Sequence, residues 1–213
     1  MKYLSYPLLI IFLVLACIEF FPSAMYAFRH LAMYQWLLYG FAAYFVIRRF
    51  DFFSRNEQWL QTTSHEATHA LVGMMFLHKI HSLEANEGHG VVYHSGRNFG
   101  SIFISLAPYC FPVLTYLLLF LRLMGANRML YVFDILIGFT LAFHVLCFWM
   151  QTGRHQTDIQ GQGCLRSFLF LFLFWFFNAS VILLSIRKGI IGAFGYLFQQ
   201  YWGDIVQFWH LIF

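Results

Sequence analysis

The clearest chemistry in the chain lies in five consecutive residues, His65-Glu66-Ala67-Thr68-His69. On a helix, positions i and i+4 lie on one face, so His65 and His69 can both offer an imidazole nitrogen to a single zinc ion. Glu66 lies about 100° round the helix from His65, next to the position that a catalytic zinc leaves open. A carboxylate there can take a proton from an attacking water and pass it to a leaving amine. The chemistry implied is metal-assisted hydrolysis.

The surroundings strengthen this reading. The motif stands in a stretch otherwise apolar enough to enter a membrane, beside Gln61, Thr62, Thr63, Ser64 and Thr68. Ionisable side chains in such a stretch are costly and usually functional, so this half-helix must face other helices or a water-filled cavity. A zinc hydrolase takes a third protein ligand and leaves the fourth position to water. Asp158 ranks first, because the segment 154–160 falls on the same side of the bundle as the loop 81–100 and can dip back toward the metal. Asp134, near the start of a later span, ranks second, and His155 competes directly with Asp158. Glu19 has no expected neighbour, and His144 reads as interhelical packing.

These residues need a scaffold, and composition says which kind. Of 213 residues, 61% are hydrophobic and 10% charged, with 28 Phe, and the mean hydropathy is +0.66. A soluble domain is nearer a quarter charged, and disordered chains lack such apolar runs. The formal charge of +4 is scattered over the loops, which gives no support to a nucleic-acid partner. Cys17, Cys110, Cys147 and Cys164 are too far apart for a zinc ribbon.

The chain therefore reads as an all-α polytopic membrane protein with a short β-hairpin or extended loop after the motif helix. Six spans of ~20 apolar residues fall at 4–24, 31–47, 56–78, 101–124, 129–151 and 167–186. Apolar sequence running on through Phe21 makes the first a retained span rather than a cleaved leader. Asn86-Glu87-Gly88 signals a turn, with Gly90 to Tyr93 extended after it. The aromatic, mixed segment 189–213 suits an interfacial helix. No linker separates two domains, so 1–213 reads as one membrane domain.

The H-E-x-x-H of residues 65–69, then Gly90-Val91-Val92, then Arg97 before Leu106-Ala107-Pro108-Tyr109, resembles the site-2 protease class of intramembrane zinc metalloproteases, in its compact bacterial form. The likeness covers about residues 58–160, within a core of about 56–165. It implies a zinc endopeptidase of a bacterial inner membrane that cuts a peptide bond in or beside a membrane segment of a client protein. It also implies Glu66 as general base, Asp158 as the ligand completing the zinc site, and Gly90, Val91, Val92 and Tyr93 as the strand against which substrate lies. Gly161 follows Asp158 by three residues, where the family has an adjacent glycine. The rival expectation is a non-catalytic membrane protein that uses the histidines for structural or transported metal, or a protease relative that only binds client helices. The rival has no need of Glu66.

Overall fold

The computed structural model describes residues 5–86, 89–96, 100–153 and 155–212. In chain order the elements are α1 (Ser5–Arg29), α2 (Leu31–Ile47), α3 (Asp51–Met75), β1 (Lys79–Asn86), β2 (His89–Ser95), α4 (Ser101–Cys110), α5 (Val113–Arg122), α6 (Leu130–Gln151), α7 (Thr157–Gln162) and α8 (Cys164–Ile212). A 3-10 turn, Asn127–Met129, leads into α6.

Among the described residues, three helical stretches are long and apolar enough to cross a membrane: Tyr6–Arg29, Asn127–Gln151 and Cys164–Gln207. The helix α2 is apolar but only 17 residues long. The motif helix α3 has the length, yet its run of Gln, Thr, Ser, His and Glu keeps it below that apolarity. The stretch 101–124, expected as one span, is instead two ten-residue helices bent by 79°. The break falls at Phe111-Pro112 because proline has no N–H to donate and drives the residue before it toward extended backbone; Phe111 has φ −105 and ψ 103. Carbonyls freed at such a break need partners where water is absent. Trp175 Nε1 donates to Tyr109 O at 2.9 Å, and Asn178 Nδ2 to Cys110 O at 2.7 Å. Tyr116 Oη in turn donates to Asn178 Oδ1 at 2.5 Å.

The helix α8 is also broken, at Gly189, whose φ of 72 favours glycine. Phe177 lies 6.3 Å from Phe194 and 6.5 Å from Tyr201, ring centroid to centroid. Along one straight helix a 24-residue separation would span about 36 Å, so the two arms fold back on each other. The second arm, the aromatic segment expected at the interface, buries Ile190, Ala193 and Leu197 in the main core with Tyr34, Leu37, Tyr116 and Ile137. Its Ile191, Phe198, Trp202 and Trp209 are exposed.

Close approach and polar anchors fix the helices that carry the site. A Cβ added to Gly40 would run into the backbone of Ile135, and one added to Gly138 into that of Leu37. These two glycines therefore let α2 and α6 pack backbone to backbone. Arg48 Nε donates to Glu57 Oε1 at 2.6 Å, which pins the start of α3 to the end of α2. Beyond it α3 packs between α4 and the hairpin. The hairpin is antiparallel, pairing Lys79 with Ser95 and Asn86 with His89, with a bulge between Ile80 and Ser82. Glu87 and Gly88 of the expected turn, and Arg97, lie outside the described residues.

Candidate active site

The spacing of the motif does on α3 what helical geometry requires. His65 and His69 stand on one face, their rings 4.8 Å apart between centroids. Across from them α7 brings in Asp158. Its Oδ2 lies 3.7 Å from His65 Nε2 and 3.5 Å from His69 Nε2, and one ligand atom from each of the three residues lies within 4.8 Å of the others. The short helix is held from beneath by Ile159, fully buried against Leu106, Tyr109, Phe170 and Leu171. Ser167 Oγ donates to Ile159 O at 3.1 Å.

The partners of these groups decide where their lone pairs point. His69 Nδ1 lies 2.7 Å from Ile104 O. A carbonyl only accepts, so Nδ1 carries a proton, and in the neutral ring Nε2 then presents a lone pair. His65 Nδ1 donates likewise to Gln151 Oε1 at 3.1 Å. Both imidazoles therefore aim bare Nε2 atoms at a carboxylate oxygen. With both rings neutral, three acceptor atoms lie within 4.8 Å of one another, an arrangement that could hold a cation. A tetrahedral ion with bonds of about 2.0–2.1 Å separates its ligand atoms by roughly 3.3 Å, close to the two spacings seen. The donor set of two nitrogens and one oxygen suits zinc. Tyr109 Oη donates to Asp158 Oδ2 at 3.2 Å and so orients the carboxylate.

Glu66 is buried beside this cluster, and β2 crosses directly over it. A Cβ on Gly90 would overlap Glu66 Cγ and come within 2.7 Å of Oε1, so only glycine lets the strand sit this close. The histidines, Glu66 and Asp158 line a cavity of about 600 Å³ together with Gln58, Thr62 and Gly90 to Val92. Tyr93, the fourth residue of the expected binding strand, is exposed and lies outside that lining.

The other acids and histidines go elsewhere. Asp134 is closed on Arg122, with Nε to Oδ1 at 2.8 Å and Nη2 to Oδ2 at 3.5 Å. His155 is exposed and does not line the cavity. His144 is buried and stacks on Trp175 at 5.3 Å. Glu19 is buried in α1, electrostatically coupled to Asp204 of the last arm. Three supporting partners had no assigned role in the sequence. Gln151 is a lone amide closing an apolar helix, a signal that was available. Tyr109 stood inside the Leu106–Tyr109 motif without a function. The Ile104 carbonyl has no sequence signal at all.

Comparison of the chain with family models, with curated proteins and with solved structures gives no match. The site therefore stands on its own geometry.

Proposed function

We propose that the protein is a membrane-embedded zinc metalloendopeptidase of the site-2 protease type, cutting a peptide bond in or next to a membrane segment of a client protein. One observation carries the reading. The Nε2 atoms of His65 and His69 and a carboxylate oxygen of Asp158 converge beside a buried glutamate, at the wall of an open cavity. A metal held only for structure is closed in by four protein ligands, and it has no use for a free acid next to it.

In this reading His65, His69 and Asp158 hold the ion, and zinc when bound would supply Lewis-acid polarisation of the scissile carbonyl and of the attacking water. Glu66 accepts a proton as the water oxygen bonds to the carbonyl carbon. It returns that proton to the amide nitrogen as the C–N bond breaks. Gly90 to Val92 hold the substrate extended alongside β2. That matters because a helical segment hides its carbonyls in internal hydrogen bonds. The membrane-embedded segments are six: α1, α2, α3, the bent α4–α5 pair, α6 and the 164–188 arm. The implied setting is a bacterial inner membrane. A polar α3 fits such a setting because it lines a cavity instead of facing lipid.

The deciding experiment is a cleavage assay with a transmembrane model substrate, paired with elemental analysis. Wild-type protein should hold one zinc per chain and cleave. Glu66→Gln should keep the zinc and lose roughly 10²–10⁴ in rate, since the amide preserves shape but takes no proton. Cleavage by Glu66→Gln at the wild-type rate would sink the proposal.

A further inference from the structure

The hairpin carries a second pair of histidines that the metal cluster does not use. His78, just before β1, and His94, on β2, face each other with their Nδ1 atoms 3.0 Å apart. One proton must lie between them, since two bare lone pairs at that distance repel. His78 is only 9% exposed, and its Nε2 has no hydrogen-bond partner among the described residues. With the proton of neutral His78 on Nε2, the ring would bury an N–H with nothing to accept it, which proteins rarely tolerate. With the proton on Nδ1, His78 donates to His94 and the orphan is only a lone pair. His94 then keeps its own proton on Nε2, on the side of the ring away from His78. His94 is exposed and lines the cavity, so this N–H is a donor of fixed tautomer offered to whatever enters.

Its position along the strand says what it meets. Gly90, Val92 and His94 alternate onto one face of β2, and Gly90 marks the level of Glu66. Four residues at about 3.3 Å each place His94 roughly 13 Å further along. We infer that His94 is a specificity-determining residue whose Nε2–H selects a substrate bearing a hydrogen-bond acceptor, the side chain of Asp, Glu, Asn or Gln, four residues from the scissile bond. This rests on the peptidase reading, with substrate extended alongside β2. Side chains directly opposite on paired strands have Cβ atoms about 4.5–5.5 Å apart, within reach of an imidazole. An aliphatic residue there would cover the donor and leave it unpaired, and lysine would set donor against donor.

The test uses the full zinc-loaded chain and peptides that differ only in the residue four places to either side of the cleaved bond: Glu, Gln, Leu or Lys. Cleavage gives kcat/KM with wild-type protein, and fluorescence anisotropy gives Kd with Glu66→Gln. On one of the two sides Glu and Gln should outperform Leu by roughly tenfold in both readouts. The preference should vanish in His94→Phe and shrink in His78→Phe, with zinc content unchanged. Histidine 15N spectra of the wild-type protein should show His78 protonated on Nδ1 and His94 on Nε2. Equal handling of the four peptides, a preference that survives His94→Phe, no binding of any peptide, or the opposite tautomers would each overturn the assignment. A preference in Kd without any cleavage would instead overturn the peptidase reading and leave His94 as the recognition donor.

Discussion

Asp134 and Asp158 make the most instructive pair in the molecule. Both are single acids near the N-terminal ends of helices, Asp134 in α6 and Asp158 in α7, and both rank as candidate partners of the motif histidines at a metal. Asp134 has a permanent cation: Arg122 covers both its oxygens, and Arg122 Nη2 also reaches Ile186 O at 3.3 Å. Asp158 faces two imidazole lone pairs and one tyrosine hydroxyl, with space beside it. A carboxylate closed on a guanidinium already has its cation, whereas Asp158, with one hydroxyl donor and two imidazoles beside an open cavity, has room for an ion. Formal charge does not separate the two sites, but the protonation of their partners does.

The hardest blow to the open site is to remove its nitrogens. The double variant His65→Ala, His69→Ala should lose its zinc completely by elemental analysis, along with all cleavage; retention of full stoichiometry would show that the metal sits elsewhere. Next comes the acid pair itself. Asp158→Asn should weaken zinc affinity by at least about 100-fold in a chelator competition while leaving thermal stability of the metal-free protein little changed. Asp134→Asn should do the reverse, costing about 3 kcal/mol of stability by leaving the half-buried Arg122 without its carboxylate, with zinc affinity unmoved. If both acids affect zinc alike, the distinction drawn between them fails.

Two smaller effects sharpen the contrast. Gly90→Ala should leave zinc in place but lower kcat by roughly 100-fold, because the new methyl displaces the Glu66 carboxylate. Gly161→Ala, where a Cβ meets nothing within 4 Å, is the matched control on α7 and should be nearly silent. Tyr109→Phe should have the smallest effect. Losing one hydroxyl donor to Asp158 Oδ2 should weaken zinc binding by about 10-fold in the same competition assay. An unchanged Kd would mean that Asp158 is oriented by α7 alone.

Much of this was legible in the residues. The membrane-compatible composition, a helix through the motif, expected at 56–78 and found at Asp51–Met75, the shared face of His65 and His69 and the place of Glu66 beside them follow from hydropathy and from 3.6 residues per turn. All are local properties, written within a few residues of where they act. The break at Phe111-Pro112 was also local, yet an unbroken apolar run hid it, because hydropathy does not register a missing N–H. The fold-back at Gly189 was similarly masked by aromatic residues that suit either an interface or a core.

What sequence reading could not supply was set by contacts between distant segments. Which acid faces the histidines depends on Ile159 being buried under α4 and α8, and on Arg122 reaching Asp134 first. Which nitrogen of each histidine is free depends on Ile104 O and Gln151, one of them a backbone carbonyl that no side-chain pattern can reveal. The sequence by itself determined that two histidines share a helical face beside a glutamate in a membrane-compatible chain, since periodicity is carried by neighbours along the chain. The acid that faces the histidines, the partners of their Nδ1 atoms and the strand over Glu66 were decided only by tertiary structure, because hydrogen bonds and close approach act through space regardless of separation along the chain.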